Sequence, residues 1–478
     1  MSNEDLCYLS ATAALGLFRA RKLSPVELTE ALVERSERVN PGINCLADRY
    51  FDEALAQAKR AEARYMTRGA KTAPLEGIPL AVKDAQRVAG RRTTHGSLIF
   101  KDSVDDHSDP MIERLQKAGA IILARTTTPE FCLTGITESR IWGVTRNPWN
   151  TDWAPGGSSG GSGAALAAGL ATLATGTDIG GSIRIPAAAC GVVGFKPPHG
   201  RNPDGPPANF DRFNHCGPMT RSVADAALMQ NITSGPHPLD HDSLRQKVTL
   251  PAEATSIKGM KIAYSVDLGY VPVETEVQRN MLAALDVFRQ LGAKVEEVDI
   301  GWTGDVEANG LHWYNTMHFG RQTIWQRKEF ADLMTDYALK FADAARKATG
   351  IDDVHKVFEQ AHQMYQTLGP VLASHDVFIC PTNNAPSVKA DHDPFDPHFT
   401  VAGRKVDPEY GWVMTHQFNM LHNCPVLSVP SGHAATGVPT AIQIVGRTFD
   451  DQRVFKAALA YEEAVGGWYT GRNKRPML

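Results

Sequence analysis

Residues 156–194 decide how this chain is organised, and they read GGSSGGSGAALAAGLATLATGTDIGGSIRIPAAACGVVG. The stretch holds two serine-bearing glycine clusters, around Ser158 and Ser182, separated by an uncharged Ala- and Leu-rich run over 164–175. Glycine adopts backbone conformations that let N–H groups approach a reacting atom closely. Consecutive N–H groups in such a loop can form an anion-binding nest. A serine inside each loop therefore indicates acyl-transfer chemistry.

The composition places the chain among soluble globular proteins, with 42% hydrophobic and 21% charged residues in 478. A net charge of −4 without a long basic run predicts no nucleic-acid partner. No apolar run is long enough to span a membrane, and the opening residues MSNEDLCYLS do not resemble a signal peptide. Seven scattered cysteines argue against a disulfide framework and favour a cytoplasmic location.

Helical patterns dominate the N-terminal part of the chain. Ser24–Glu27 forms a capping box with proline at the first helical position, and Asn40–Gly42 is expected to end that helix. A second helix is predicted over 52–65. Residues 1–72 are therefore interpreted as a helical arm packed on the main body.

The rest of the chain alternates strands and helices, which favours an α/β fold. The predicted fold is a large mixed, mostly parallel twisted sheet covered by helices on both faces. Helices are predicted from Asp109-Pro110, from Ser222 and over 274–291, and strands over 75–84, 120–124, 260–264, 294–298, 376–382, 424–432 and 437–446. Since no repeat or linker interrupts the chain, one domain is expected over 1–478, with a catalytic core at 73–235 and a variable substrate-pocket region at 300–422.

One lysine stands out, because Lys83 ends the apolar run Pro79–Val82. Lysines usually keep the ammonium group in water, and a lysine at a strand end normally does so too. From these residues alone, an exposed Lys83 ammonium group is therefore the expected arrangement.

These motifs together resemble the amidase signature family. The resemblance is dense over 75–227 and patchy over 376–463. The matching stretches are GIPLAVKD (77–84), RTTTPEF (125–131, with Arg125 in place of the family's lysine), GVTRNPW (143–149), GGSSGGS (156–162), GTDIGGSIRIP (176–186) and the strands at 376–382, 424–432 and 437–446.

The resemblance implies a Ser-cisSer-Lys triad. Ser182 is then the nucleophile that forms the acyl-enzyme, Ser158 the bridging serine after a cis peptide bond, and Lys83 the general base. A serine hydroxyl needs such a base to become a good nucleophile, and burial can lower a lysine pKa far enough for that role.

Residues around the triad have further expected roles. Asp178 and Arg184 flank the second loop and are expected to pair and hold it. Cys132, Thr177 and Gly157 are assigned to substrate binding. The developing oxyanion is expected to bind the backbone N–H groups of Ile179, Gly180, Gly181 and Ser182.

Other motif interpretations fit less well. Gly156–Gly160 matches the G-x-S-x-G nucleophile elbow, but Asp152–Pro155 precedes it instead of a strand. A phosphate-binding loop is excluded because no Gly-Lys-Ser/Thr follows the glycines. Cys132 and Cys190 could be thiol nucleophiles, although buried small hydrophobes are the simpler interpretation.

The expected function is cofactor-free and metal-free hydrolysis of a small-molecule amide, by a chain that could form a homodimer. An esterase or carbamate hydrolase remains an alternative, as does the A-type subunit of glutamyl-tRNA amidotransferase. Against the latter, residues 212–218 read RFNHCGP where those subunits carry SLDQ(I)GP. A catalytically dead homologue is a third alternative, which the intact Lys83, Ser158 and Ser182 disfavour.

The substrate is the least determined feature. An aryl or aliphatic acyl group is one interpretation of the aromatic segment 302–325, and ordinary core residues are the other. Its informative members are Trp302, His312, Trp313, Tyr314, Met317, His318, Phe319 and Trp325. The Asp and His residues of 390–398 show no known metal-ligand spacing, which favours a solvated loop.

Overall fold

A computed structural model describes residues 2–306, 328–347, 350–471 and 474–478. The helices in these ranges are α1 (Asn3–Cys7), α2 (Ala11–Arg19), α3 (Pro25–Ile43), α4 (Phe51–Met66), α5 (Pro110–Lys117), α6 (Gly160–Ala167), α7 (Arg184–Cys190), α8 (Val223–Thr233), α9 (Thr275–Gln290), α10 (Asp336–Lys347), α11 (Ile351–Ser374), α12 (Gln417–Met420) and α13 (Asp451–Ala464).

The strands in the same ranges are β1 (Leu46–Arg49), β2 (Pro79–Lys83), β3 (Ile121–Thr126), β4 (Glu138–Ser139), β5 (Gly143–Val144), β6 (Leu173–Asp178), β7 (Val193–Lys196), β8 (His215–Thr220), β9 (Lys261–Tyr264), β10 (Lys294–Glu297), β11 (Val377–Pro381), β12 (Thr400–Val401), β13 (Arg404–Lys405), β14 (Val426–His433) and β15 (Pro439–Gly446). Every helix and strand that the sequence predicted, over 24–298 and 376–446, appears in the structure with ends shifted by a few residues.

One large sheet forms the centre of the fold. Within the described ranges it has eleven strands in the order β1-β3-β2-β6-β8-β7-β14-β15-β11-β9-β10. Strand β2 pairs in parallel with β3 and β6, and β9 pairs in parallel with β10 and β11. The strands between these two groups pair antiparallel. The predicted large mixed sheet packed against helices is therefore confirmed.

The sheet topology brings the carboxyl ends of two strands together. Strands β2 and β6 are parallel neighbours, with Leu80 opposite Leu173 and Ala81 opposite Ala174. Their carboxyl ends, at Lys83 and Asp178, consequently meet at one edge of the sheet, where open α/β sheets usually bind ligands.

Helix α6 explains the Ala- and Gly-rich composition of the central stretch. All of its residues are buried, between the sheet and α7. A Cβ atom added to Gly161 would lie 2.4 Å from the backbone nitrogen of Thr127, so only glycine allows this approach. Across the described ranges, no helix combines the length and the apolar character needed to cross a membrane.

The N-terminal arm differs in two ways from the helical arm predicted. It contributes strand β1, which pairs antiparallel with β3 at the sheet edge. Helix α3 also runs past Pro41 to Ile43 and ends at Asn44, whose φ is 52°. Since Pro41 lies in the last turn, its missing N–H removes a single helical hydrogen bond and the turn persists.

The arm holds the C-terminal end of α6. The Tyr8 hydroxyl donates to the carbonyl of Ala167 at 3.1 Å, and Arg35 Nε donates to the carbonyl of Ala168 at 2.6 Å. These contacts satisfy carbonyl groups that a buried helix end leaves without partners. The arm thus fixes the helix that follows Ser158.

Replacing Arg35 should therefore destabilise the protein. We expect Arg35→Ala to lower the free energy of unfolding by about 1–3 kcal/mol, because it leaves a buried carbonyl unsatisfied. The exposed Arg38 of the same helix is the matched control, and Arg38→Ala should change the value by less than about 0.5 kcal/mol. Chemical denaturation of both variants checks this, and equal effects would contradict it.

Candidate active site

Lys83 lies at the centre of the site, fully buried at the end of β2. Its Nζ atom lies 2.7 Å from Ser158 Oγ and 2.8 Å from Thr177 Oγ1. Removal from water destabilises the ammonium form, so burial lowers the pKa of Lys83 from its ordinary value. The structure thus joins the predicted base to the predicted bridging serine.

The first glycine loop carries Ser158 on a cis peptide bond from Gly157. The carbonyl of Ser158 accepts a hydrogen bond from Thr128 Oγ1 at 2.9 Å. A Cβ atom on Gly157 would lie 2.4 Å from the carbonyl oxygen of Ile136. A side chain at this position would clash with the backbone, so glycine is required there. The backbone N–H of Ser159 donates to the carbonyl of Ser182 at 3.2 Å, which holds the two loops together.

A buried ion pair organises the second glycine loop. Arg184 Nε and Nη2 each contact the Asp178 carboxylate at 2.9 Å, and both side chains are fully buried. Burial alone would raise the pKa of Asp178, but the Arg184 guanidinium holds that pKa well below its usual range. The same carboxylate accepts from the backbone N–H of Ile183 at 3.2 Å. The predicted pairing is confirmed, and the loop folds around it.

Gly181 shows why this loop needs glycine. Its φ is 127°, and a Cβ atom there would lie 2.0 Å from Thr415 Oγ1. That hydroxyl donates to the carbonyl of Gly180 at 2.6 Å. Four successive backbone N–H groups of this loop find no hydrogen-bond acceptor among the described residues, those of Ile179, Gly180, Gly181 and Ser182.

Residues from the C-terminal half complete the support, and the sequence did not identify them. Asn419 Nδ2 donates to Asp178 Oδ1 at 2.8 Å, and Arg184 Nη1 donates to Gln443 Oε1 at 3.0 Å. A usable signal for Asn419 was the mostly polar run THQFN at 415–419, which comes six residues before the buried strand β14.

The two cysteine candidates differ in environment. Cys190 is buried and its thiol donates to the carbonyl of Pro155 at 3.3 Å, as a structural cysteine would. Cys132 is only partly buried, has a left-handed φ of 61°, and lies 3.4 Å (Sγ) from Thr128 Oγ1.

A cavity of about 360 Å³ leads to this site. Cys132, Thr177 and Ile179 line its inner end. Burial lowers the pKa of His95 in its wall to about 4, so this imidazole is neutral at physiological pH. The other lining residues are mixed, with apolar Phe100, Phe131, Pro206, Pro207 and Ala208 beside polar Arg87, Asp105, Asp109, Asp204 and Asn214.

An apolar cluster adjoins the same inner end. It joins Phe131, Leu133 and Ile179 to Phe213, Met334, Tyr337, Phe341 and Tyr410. Trp302 belongs to a separate buried cluster, with its ring 5.9 Å from that of Phe418, and is a core residue. The other residues singled out in the aromatic segment lie outside the described ranges, namely His312, Trp313, Tyr314, Met317, His318, Phe319 and Trp325.

The described residues contain no group of three or more His, Cys, Asp or Glu side chains that could hold a metal ion. In the loop over 390–398, His392 Nε2 lies 2.7 Å from the carbonyl oxygen of Pro408.

Known proteins of similar sequence and structure include acylamidases and an amidotransferase subunit. The chain is 34% identical over 472 residues to an acylamidase of Rhodococcus erythropolis, covering 98% of each chain. It is 31% identical over 477 residues to the A-type subunit of the glutamyl-tRNA(Gln) amidotransferase of Geobacter metallireducens, covering 95% of this chain and 96% of that one. The solved structure of a bacterial aryl acylamidase of the amidase signature family superposes with a TM-score of 0.87 at 29% identity, covering 96% of each chain.

The family model described as Amidase matches residues 27–455. Together with relatives of the same kind along almost the whole length, this match confirms the resemblance seen in the sequence motifs. The chain belongs to the amidase signature family and is an amide-hydrolysing enzyme.

Proposed function

We propose that this enzyme hydrolyses a carboxylic amide through an acyl-enzyme on Ser182, with Lys83 and Ser158 as the proton relay. The observation that carries the proposal is the 2.7 Å contact between Lys83 Nζ and Ser158 Oγ, two side chains that are both fully buried. The loop of Ser182, a residue only 5% exposed, lies against this pair.

The first half of the reaction forms the acyl-enzyme. Neutral Lys83 accepts the Ser158 hydroxyl proton while Ser158 accepts the proton of Ser182. Ser182 Oγ then attacks the amide carbon and forms a C–O bond. The carbonyl electron pair moves onto oxygen, where the N–H groups of 179–182 stabilise the charge.

The second half restores the enzyme. Collapse of the tetrahedral intermediate breaks the C–N bond, and the leaving nitrogen takes the proton that returns from Lys83 through Ser158. A water molecule then attacks the ester on Ser182 with the same relay as base. Carboxylic acid and amine leave, and all three side chains regain their starting protonation states.

The substrate we propose carries an aryl or aliphatic acyl group. The apolar cluster around Phe131 and Ile179 borders the oxyanion loop and offers a surface for such a group. The acylamidase relative and the aryl acylamidase structure support the same substrate class.

The amidotransferase role is the weaker candidate. The stretch that departs from those subunits, 212–218, reaches the substrate region, because Phe213 packs in the apolar cluster and Asn214 lines the cavity. Because these residues differ from those of the amidotransferase subunits, they favour a different substrate. Esters and carbamates remain compatible, since they form the same acyl-enzyme.

A fluorophosphonate probe should label Ser182 covalently, as peptide mapping can show. We expect Ser182→Ala to lose the label and all amidase activity, because the attacking oxygen is gone. The hydroxyl of Ser374, an exposed residue, contacts two carbonyls of its own helix and the neighbouring imidazole of His375, and Ser374→Ala should label like the wild type. Label on Ser158 or Cys132 instead would contradict the roles assigned.

Lys83→Met should lower kcat at least about 100-fold, because general-base catalysis commonly contributes that much. Lys83→Arg should be no better, since a guanidinium stays protonated. In the wild type, kcat/KM should rise with pH through the lowered pKa of Lys83 and be lost below it. An arginine variant with substantial activity would place the base elsewhere.

A panel of anilides, aliphatic amides, esters, carbamates and small charged amides tests the substrate class. We expect the aryl and aliphatic acyl amides to be the best substrates, and Phe100→Ala to raise their KM about tenfold by removing an apolar wall. Leu282→Ala, on an exposed helix face, is the control. Turnover of small charged amides alone would contradict the apolar pocket.

A further inference from the structure

His215 is a buried residue behind the second glycine loop, and the proton relay does not use it. It begins β8, where it pairs with Asp178 at the end of β6. Its Nδ1 atom lies 3.1 Å from the carbonyl oxygen of Asp178. The next residue of the loop, Ile179, lines the active-site cavity, whereas His215 does not.

The bond from His215 to Asp178 acts on the N–H group of the next residue. The Asp178 carbonyl and the Ile179 N–H belong to one trans peptide group, and its planarity makes the two point in opposite directions. A donor held on the carbonyl oxygen therefore fixes the direction of the N–H. This N–H is the first of the four in the loop that find no acceptor among the described residues.

The hydrogen-bond partners of His215 decide which ring nitrogen carries the hydrogen. A carbonyl oxygen can only accept, so the bond to Asp178 requires the hydrogen on Nδ1. The lone pair of Nε2 then faces Lys196 Nζ, which lies 3.5 Å both from Nε2 and from the neighbouring carbonyl oxygen of His422. Burial lowers the pKa of Lys196 to about 7, but its ammonium and neutral amine forms both have hydrogens to donate. With the hydrogen on Nε2 instead, the Nδ1 lone pair would face the Asp178 oxygen with no donor among the described residues.

Asn419 also donates to the Asp178 carbonyl oxygen, at 3.1 Å. Its amide nitrogen lies in addition 2.8 Å from Asp178 Oδ1 and 3.1 Å from the carbonyl oxygen of Phe213. The two hydrogens of this amide thus serve three acceptors. The Nδ1 hydrogen of His215 has a single acceptor among the described residues, so His215 is the donor dedicated to the Asp178 oxygen.

We propose that His215 is a positioning residue, which holds the Asp178–Ile179 peptide group so that its N–H points to the oxyanion, while Lys196 keeps the imidazole in the tautomer that this requires. This role rests on the proposed function and deepens it, because the strength of one oxyanion donor then depends on two residues outside the cavity. Oxyanion donors act mainly where charge develops in the transition state. The pair should therefore affect kcat and leave KM unchanged.

The test follows the ionisation of a hemiketal on Ser182. We use trifluoroacetophenone labelled with ¹³C at its carbonyl. Ser182 Oγ forms a C–O bond to that carbon, the serine proton passes to the relay, and the carbonyl electron pair moves onto the ketone oxygen. The ¹³C resonance reports whether this oxygen is protonated, and the free hydrate of the ketone in the same sample is the reference. We expect a hemiketal pKa below that of the hydrate in the wild type, and a rise of about one pKa unit in His215→Leu, since a misaligned donor stabilises the oxyanion about tenfold less.

Two further variants separate positioning from folding. His215→Asn places an amide N–H near the position of the Nδ1 hydrogen and should restore most of the hemiketal pKa and of kcat. Lys196→Met leaves the imidazole in place but removes the donor to Nε2, so its hemiketal pKa should rise as in His215→Leu. The exposed His241 is the matched control, and His241→Leu should behave like the wild type.

With an amide substrate, His215→Leu should lower kcat about tenfold at an unchanged KM. If folded His215→Leu keeps the wild-type hemiketal pKa and loses only stability or affinity for the amide, His215 is not a positioning residue and the inference is wrong. Should His215→Leu fail to fold, an unchanged hemiketal pKa in Lys196→Met contradicts the inference in the same way. If the wild type forms no hemiketal on Ser182, the proposed function itself fails, and the role of His215 with it.

Discussion

The removal of one lysine from water is the constraint on which the rest of this structure depends. A buried ammonium is costly unless acceptors surround it. Lys83 meets this condition through the hydroxyl groups of Ser158 and Thr177, at the edge where two parallel strands end. The same burial that makes the group costly also lowers its pKa, so the neutral amine that can accept a proton becomes accessible.

Distant parts of the chain hold this arrangement in place. The N-terminal arm binds the end of α6 through Tyr8 and Arg35, which fixes the helix that starts after Ser158. From the other side, Thr415 and Asn419, before and in α12, bind the second glycine loop through the carbonyl of Gly180 and the carboxylate of Asp178. The Asp178–Arg184 pair is satisfied on nearly every polar atom, as a buried ion pair must be to avoid a net cost. The positions of Ser158 and of the second glycine loop therefore depend on contacts from both the N-terminal and the C-terminal parts of the chain.

Much of this was readable from the sequence, because short motifs fix local loops. The glycines of 156–161 and 176–181 predicted two backbone turns. The residues around Lys83 alone favoured an exposed lysine, and only the resemblance to the family implied that it is the base; the structure brings Lys83 to Ser158. The contributions of Thr415 and Asn419 were not predictable, since they depend on contacts between residues more than 200 positions apart. Strand β1 was not predicted, because four residues between two helices are too few to show the alternation of apolar and polar residues that marks a strand.

The most direct test of the account is the titration of Lys83 itself, followed through the Cε resonance of lysine labelled with ¹³C. The spectrum of Lys83→Arg identifies the resonance, and the exposed lysines of the same sample serve as the internal reference. The account predicts that Lys83 titrates at clearly lower pH than those lysines, because burial disfavours its ammonium form. A Lys83 resonance that titrates together with the exposed lysines would contradict it, since the amine could then not act as the base near neutral pH.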